Sequence, residues 1–394
     1  MKTLLVTALR EWSYFFRDRA AVLLLVAASL FYAFYYPLPY LHQIPRESPV
    51  GVVDRDNSNL SRQLIRYTDA TEQIAVYEYY PDIQSAAKAM AGGKIFGILE
   101  IPADFERDIR RGGSTAVGLY GNAGFFMVYS AIGKGLSLAA GTISAGIKIM
   151  RLEAEGYSEK EAMVIRDAMP VSIQTLYNGS EGYGNYVVPA VLMVILQQTL
   201  VIGIGILGGA RADRRLSVRN SKPKKPEPLY VRWIGRGLAY LIHYGLFFAF
   251  YYFIVYSVFG FPARAQILPL VFFVFAFVSA SIQMGFFFAQ FFKHRESSMQ
   301  IFLYCSIPFL FVSGFSWPLT SIPEGLHILF WIVPTTHAIP AWLSVQQMGA
   351  SLQEIAKPII HLGILAIAYG SLGYLMQLWK ERKYLSSSGT DRRK

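Results

Sequence analysis

Two long apolar runs joined by a strongly basic connector constrain the fold of this chain more than any other feature. The runs are Val187–Leu207 and Gly237–Phe259. As helices that rise about 1.5 Å per residue, each is long enough to cross the roughly 30 Å hydrocarbon core of a bilayer. The connector, residues 210–236, carries nine arginines and lysines against only Asp213 and Glu227. Because positive charge beside a span is retained in the cytoplasm, the pattern predicts a transmembrane hairpin with a cytoplasmic loop.

The composition indicates a membrane protein and not a soluble one. Hydrophobic residues make up 53% of the chain and charged residues only 16%, whereas charged residues are about 25% of a typical soluble domain. The net charge of +11 does not predict a nucleic-acid partner, because many basic residues lie just outside apolar runs and not on one solvated face. The single cysteine, Cys305, excludes a disulfide within the chain.

The first 37 residues predict a surface helix followed by a membrane anchor. Residues 1–19 separate apolar from polar side chains at helical spacing, which predicts an amphipathic helix in the membrane interface; the alternative is a plain flank of the first span. The apolar members are Leu5, Ala8, Leu9, Trp12 and Phe16, and the others are Arg10, Glu11, Ser13 and Arg17. The first span, residues 20–37, ends in an aromatic cluster, which favours a retained anchor over a cleaved signal peptide.

Residues 38–186 predict a small α/β domain outside the cytoplasm. Strand-like segments rich in β-branched residues alternate with helix-like segments, which is the pattern of an α/β fold. The strands are expected at Pro49–Val53, Gln73–Tyr79 and Ile95–Ile101, and the helices at Asn59–Tyr67 and Ile83–Ala91. Within this domain, residues 121–150 place apolar and polar residues on opposite helix faces. They therefore predict a long water-exposed helix instead of a further span.

The rest of the chain predicts three more spans and an unusual proline-rich segment. The spans are expected at residues 267–292, 299–315 and 358–379, within a helical region 187–379, followed by a basic cytoplasmic tail at 380–394. Together with the first span and the hairpin, these spans give six transmembrane helices, with both termini in the cytoplasm. In residues 313–347, prolines bracket an apolar run too short to cross, which predicts a re-entrant pair of half-helices on the outer side. The alternative is an external loop with an apolar lining.

The chemistry of the chain predicts no catalytic or cofactor site of its own. It contains no P-loop, no G-x-S-x-G and no H-E-x-x-H motif, and its six histidines are scattered, so no metal site is expected. The spans hold almost no acidic residues, although ion-coupled transporters use such groups at membrane depth. Their neutral and weakly basic polar groups predict hydrogen bonds between helices; these groups are Gln197, Gln198, His243, Gln283 and His361.

The order of segments and three motifs resemble one transporter family. The motifs are Asn185–Pro189, the stretch from Ser313 to Leu319 with Ile322-Pro323, and Pro334–Ala338. With these, the chain is similar to the permease subunit of bacterial type 2 ABC exporters that carry a large domain between spans one and two. One departure concerns the loop after the second span, where Arg211–Leu216 lacks the glutamates and the Gly-Thr common in the family. Its contacts with an ATPase must therefore differ.

The resemblance implies a transport subunit of the bacterial inner membrane, surrounded by membrane lipid, with no enzymatic site of its own. It implies two separate cytoplasmic ATPase subunits that bind ATP and magnesium, a second copy of this chain or a similar permease and, in some members, a periplasmic adaptor. The family exports drugs, lipids and polysaccharides, and the aromatic-rich spans favour an amphipathic substrate. Two alternatives stay open: a membrane-anchored enzyme that uses Asp54, Asp56 and Asp69, and an ion-coupled secondary transporter.

Two groups of residues are candidates for function. For coupling to the ATPase they are Trp12, Arg17, Arg211, Asp213 and Arg214. For an outer gate in the re-entrant segment they are Phe315, Trp317, Pro318 and Pro323, whose bulk and stiffness suit a hydrophobic constriction. For each of them the alternative is membrane anchoring or packing.

Overall fold

The computed structural model describes residues 2–41, 44–167, 174–217, 227–292 and 294–390, except positions 314, 316 and 318. The chain divides into two compact units. One comprises residues 1–41 and 177–394, and the other comprises residues 42–176. We refer to them as the helical unit and the α/β unit.

The helical unit begins with two helices separated by a single aspartate. Helix α1 is Lys2–Arg17, and helix α2 is Arg19–Tyr40, which includes a π-helical stretch at Leu23–Ala28. Asp18 between them has extended backbone geometry, and its carboxylate accepts hydrogen bonds from the N–H groups of Ala20 and Ala21 at 3.2 Å. Such an N-cap satisfies two N–H groups at the start of the new helix.

Helix α1 is amphipathic, as predicted, and only part of its apolar stripe faces outward, because Ala8 is buried and Trp12 packs on the protein. Leu5, Leu9 and Phe16 are each more than half exposed, as expected of side chains that meet lipid. The side that packs against the protein includes Phe15 and the carboxylate of Glu11. The sequence pattern grouped Glu11 with the solvated residues, and in the structure it is buried.

The α/β unit contains four strands and five helices within its described residues. They are β1 Ser48–Asp54, α3 Asn59–Asp69, β2 Ile74–Tyr79, α4 Ile83–Ala91, β3 Gly97–Ile101, α5 Phe105–Arg110, β4 Gly118–Gly121, α6 Phe126–Ala154 and α7 Glu159–Arg166. The sheet order is β2-β1-β3-β4. Strand β1 is parallel to both β2 and β3, whereas β4 is antiparallel to β3. Each of the three predicted strands overlaps an observed one, and β4 was not predicted.

The long helix α6 packs along the sheet. Ile132, Leu136 and Ile143 on its apolar stripe are buried in one cluster with Val52 and Leu99 of the central strands. Its other face exposes polar residues, including Ser130, Lys134, Ser137 and Lys148. The helix is long and amphipathic, whereas its position outside the membrane stays a prediction.

The described residues of the rest of the helical unit form seven further α-helices, besides two short 3-10 helices at Leu319–Ser321 and Glu324–Leu326. The α-helices are α8 Tyr183–Ser217, α9 Leu229–Phe259, α10 Ile267–Phe288, α11 Arg295–Val312, α12 His327–Ile332, α13 Pro334–Leu343 and α14 Ala356–Thr390. Helix α8 is the central one, because 89% of its most apolar window is buried, against 11% in α14. Its inner side packs on aromatic residues of α9 and α10.

Six helices in the described part of the chain are long and apolar enough to cross a membrane: α2, α6, α8, α9, α10 and α14. This set differs in one member from the predicted one, because it includes α6 and lacks residues 299–315. The apolar part of α11 is only Met299–Phe311, about 20 Å of helix, which is less than the thickness of the hydrocarbon core. That α11 crosses the membrane stays a prediction.

The proline-rich segment forms two short helices, as predicted. Helix α12 ends at Val333, whose extended backbone (φ −101°, ψ 123°) is the geometry expected of a residue that precedes proline. Helix α13 begins at Pro334 and continues into a π-helical stretch, Ser344–Met348. Most of α13 is buried, including Trp342, whose indole N–H donates to the Tyr256 hydroxyl at 2.9 Å. That these helices re-enter the membrane from outside stays a prediction.

Candidate functional site

A buried carboxylate on α1 joins three helices of the helical unit. Glu11 is only 5% exposed, and it forms an ion pair with Arg211 near the end of α8. Its other oxygen lies 3.6 Å from the Nε atom of Arg236 on α9. The Tyr240 hydroxyl, also on α9, donates a hydrogen bond to Glu11 at 3.0 Å. The Arg211 guanidinium in turn lies 4.9 Å from the centre of the Tyr14 ring on α1, a cation–π distance.

The two arginines keep Glu11 ionised. Burial alone would raise the pKa of this carboxyl, but the charges of Arg211 and Arg236 outweigh it and hold the pKa below its ordinary value. A buried charge costs several kcal/mol unless it is paired and hydrogen-bonded. Each member of the group therefore depends on the others, and the second half of α1 is fixed to α8 and α9.

A second ion pair fixes the junction of α1 and α2 to α11. The Arg295 guanidinium donates to the Asp18 carboxylate at 2.6 Å, and Asp18 also caps α2. A single carboxylate thus holds the start of two helices. We call the residues of these two sites, Glu11, Asp18, Arg211, Arg236, Tyr240 and Arg295, the α1 network.

Further polar contacts extend from the α1 network to the remaining helix ends. Arg232 at the start of α9 pairs with both oxygens of Glu381 on α14, at 2.8 and 2.9 Å. Lys380 on α14 donates to the carbonyl of Gln290, just beyond α10. The same end of the unit therefore holds the starts of α2, α9 and α11 and the ends of α8, α10 and α14. This is the arrangement of six helices that alternate in direction.

Close packing accompanies these ion pairs where α1 meets α9. The Trp12 indole N–H donates to the carbonyl of Ala239 at 3.1 Å. A Cβ atom at Gly235 would lie 2.7 Å from Cβ of Thr7, so only glycine permits this approach of the two helices. Thr7 itself donates to Glu227, ahead of α9, at 3.0 Å, and Arg10 pairs with the same carboxylate.

The structure brings together some of the predicted coupling residues. Trp12 and Arg211 both belong to the contact of α1 with α8 and α9, whereas the side chain of Arg17 is exposed and makes no ion pair with any described residue. Asp213 and Arg214 continue α8, and only their backbone is described. Sequence reasoning missed most of the α1 network. A signal was present, because Glu11 and Asp18 are the only acids in the first 46 residues.

The predicted gate residues do not form one cluster among those described. Phe315 is buried, its ring lies 4.5 Å from that of Tyr186 on α8, and its carbonyl accepts a hydrogen bond from the Tyr186 hydroxyl. Trp317 is 60% exposed, and Pro323 is exposed. Pro318 lies outside the described residues. A role of these residues as a gate stays a prediction.

Helix α13 is fixed to α8 at both ends. The Gln197 side chain accepts from the Thr335 N–H at 3.0 Å and donates to the Thr335 hydroxyl at 3.3 Å, which satisfies the first turn of α13. The Gln347 side chain, just after α13, donates to the carbonyl of Asn185.

Two further polar groups singled out in the spans also bond between helices. Gln283 accepts from the Trp233 indole at 3.0 Å, and His243 lies 3.1 Å from the carbonyl of Leu25. The prediction of hydrogen bonds between helices is therefore confirmed for Gln197, His243 and Gln283. It is wrong for Gln198, whose side-chain oxygen and nitrogen are buried without a hydrogen-bond partner among the described residues, and His361 stacks on the His337 ring, with the ring centres 5.0 Å apart.

The aspartates considered for an enzymatic site have structural roles in the α/β unit. Asp54 accepts from the N–H groups of Asp56 and Asn57 at 3.0 Å. Asp56 accepts from the N–H of Glu106 at 3.1 Å, and Asp69 accepts from that of Val76 at 2.7 Å. Among the described residues, no group of three or more histidines, cysteines or acids could hold a metal ion.

A family model described as ABC-2 family transporter protein matches residues 20–375, which include α2, the α/β unit and all but the last turns of α14. No curated protein matches the chain.

Proposed function

Because the chain belongs to the ABC-2 family of transporter proteins, we propose that it is the permease of an ATP-driven exporter whose ATPases act on the α1 network. Family membership makes it a permease component of an ABC transporter, which works with an ABC ATPase component, and a multi-pass protein of a bacterial inner membrane. The proposal concerns the direction of transport, its coupling and its substrate.

The observation that carries the proposal is the convergence of ion pairs on α1. Through Glu11 and Asp18 this helix is joined to α8, α9 and α11. Paired and packed side chains of this kind have few alternative arrangements, so a displacement of α1 would move the attached helix ends together. Two ATPase subunits, each with ATP and magnesium, would dock beside α1 and the basic connector, residues 210–236. Their approach on binding ATP would supply that displacement.

The alternating helix directions support the orientation that the sequence predicts. The network end of the helical unit carries the basic connector and the basic C-terminal tail, and positive charge is retained in the cytoplasm. We therefore assign this end, with both termini, to the cytoplasm. In that arrangement α11 is a crossing helix, since α2, α9 and α11 all start at the cytoplasmic end. The α/β unit, between the far ends of α2 and α8, would lie in the periplasm with α6 outside the membrane.

The substrate would pass between this permease and a second permease, either an identical copy or a similar chain. The aromatic side chains along α9 and α10 favour an amphipathic or lipid-like molecule taken from the cytoplasm or the inner leaflet. The α/β unit would receive a periplasmic adaptor.

ATP hydrolysis tests the proposal directly. The purified chain alone should hydrolyse no ATP, and hydrolysis should appear when it is reconstituted with its ABC ATPase component. In that complex, Glu11→Gln should reduce substrate-stimulated hydrolysis at least tenfold while basal hydrolysis by the ATPase persists. Glu324→Gln, at an exposed acid of the same unit, is the matched control and should leave stimulation unchanged. ATP hydrolysis by the chain alone would refute the proposal.

A further inference from the structure

A pocket with a basic rim and an apolar wall opens at the network end of the helical unit. It has a volume of about 900 Å³ and lies between the start of α2, helix α8 and helix α11. The lining residues are Arg17, Asp18, Arg19, Ala20, Ile206, Arg295, Met299, Gln300, Leu303 and Tyr304. Of the three arginines at its rim, Arg295 belongs to the α1 network, whereas Arg17 and Arg19 do not.

The rim is positively charged, because it carries more arginines than carboxylates. Arg295 is neutralised by Asp18, but Arg17 and Arg19 are exposed and have no carboxylate partner among the described residues. Two guanidiniums separated by one residue, beside an apolar cavity, form a site for an anion. A phosphate group suits them, because the planar fork of arginine donates two parallel hydrogen bonds to phosphate oxygens.

The wall below the rim is apolar and accessible. Along α11, Met299 and Leu303 follow Arg295 by about 6 and 12 Å of helix axis, and they are 47% and 58% exposed. Tyr304 beside them is 80% exposed. The arginines at the rim and the apolar side chains farther along α11 are therefore arranged like the headgroup and the acyl chains of a phospholipid.

We propose that this pocket binds one anionic phospholipid, with its phosphate on Arg17 and Arg19 and its acyl chains along Met299, Leu303 and Tyr304. Basic pockets between membrane helices on the cytoplasmic side are known to hold anionic headgroups. That this lipid comes from the inner leaflet depends on the orientation proposed above, whereas binding of the lipid to the pocket does not depend on it. An occupied pocket would fill the space between α2 and α11, next to the Asp18–Arg295 pair, and would stabilise that contact.

Native mass spectrometry of the purified full-length chain tests the proposal. We expect dioleoyl phosphatidylglycerol to bind at least tenfold more tightly than dioleoyl phosphatidylcholine, which has the same acyl chains and no net charge. The double variant Arg17→Gln, Arg19→Gln should lose this preference. The control Arg382→Gln, Lys383→Gln removes the same charge from the same end of the unit but outside the pocket, and it should retain the preference.

Two further measurements distinguish a bound phospholipid from a free phosphate ester in the pocket. Leu303→Gln should weaken binding of the lipid at least fivefold, and glycerol phosphate, which has no acyl chains, should not compete at equal concentration. Equal affinity for the two lipids, equal losses in the control, or full competition by glycerol phosphate would each overturn the proposal. Loss of dimers in the Arg17, Arg19 variant with unchanged lipid preference would also overturn it, because the pocket would then be a contact between permeases. None of these measurements needs an ATPase, so their failure is distinct from failure of the proposed function.

Discussion

Glu11 shows how a single side chain can determine the packing of several helices. Its carboxylate is the only acid among the described residues within 4 Å of Arg211 and Arg236, and both arginines are mostly buried. Substitution by glutamine would keep the shape but leave two buried cations without their counter-ion. Ala8, by contrast, is equally buried and could be replaced by another small residue with little effect.

We therefore expect Glu11→Gln to lower the free energy of unfolding of the helical unit by about 3 kcal/mol, at the low end for a broken buried ion pair. In a thermal scan of the detergent-purified chain this is a fall in Tm of roughly 5 °C or more. Glu324→Gln removes an exposed acid from the same unit and should leave Tm within about 1 °C. A Tm for Glu11→Gln equal to that of the control would contradict the burial and pairing of Glu11.

The pH dependence of this effect has a definite sign. The pKa of Glu11 is lower in the folded protein than its ordinary value, so its stabilisation is complete above the unfolded pKa of about 4.3 and is lost as pH falls through the folded value. The Tm difference between the wild type and Glu11→Gln should be constant from about pH 5.5 to 7.5 and should shrink only below about pH 4. A difference that already shrinks near pH 6 would indicate a raised pKa instead.

At the scale of elements, the contact of α1 with α9 depends on one glycine. Because a Cβ atom at Gly235 would meet Cβ of Thr7 at 2.7 Å, Gly235→Ala should separate the two helices and strain the Glu11–Arg236 contact. Gly245 lies on the same helix, and a Cβ atom there would meet nothing within 4 Å. It provides a matched control.

Gly235→Ala should therefore destabilise the chain by about 1–3 kcal/mol, which is typical of overpacking. Gly245→Ala should be neutral or slightly stabilising, since alanine has the higher helix propensity. Thermal unfolding of the two variants under the same conditions measures the difference. Equal Tm values would contradict the close approach of α1 and α9.

The sequence allowed prediction of most elements but not of all their roles. Helix α6 was predicted from its periodicity, because its apolar residues recur on one face, whereas the sheet on which that face packs was seen only in the structure. Strand β4, Gly118–Gly121, was missed, since four residues with two glycines carry little β-propensity. Within α1, periodicity gave the helix but not the partners of Glu11, because those lie some 200 positions along the chain and no local pattern encodes a contact at that separation.

At the scale of the whole molecule, sidedness is the property on which the proposed function depends. The chain offers a simple background for labelling, since Cys305 is its only cysteine and can be replaced by serine. Single cysteines can then be introduced at Ser85, Glu159, Glu324 and Arg382. The first two flank α6, the third follows α11, and the fourth lies at the end of α14.

A membrane-impermeant maleimide applied to spheroplasts should label positions 85, 159 and 324 and leave position 382 unlabelled until the cells are opened. Labelling of 85 and 159 on opposite sides would mean that α6 crosses the membrane. Absence of label at 324 in intact spheroplasts would mean that α11 does not. Either outcome would refute the six-span orientation, and denatured samples provide the control for reactivity of each cysteine.

Hydrogen bonds from Gln197 and Gln347 fasten α13 to α8 at its beginning and just beyond its end. The two helices should then move as one rigid body whenever the permease changes conformation. The end of α11 is likewise held to α8, by the hydrogen bond from the Tyr186 hydroxyl to the Phe315 carbonyl. A disulfide that bridges α13 to α8 should therefore leave the transport cycle intact, since it adds a bond between two helices that already move together.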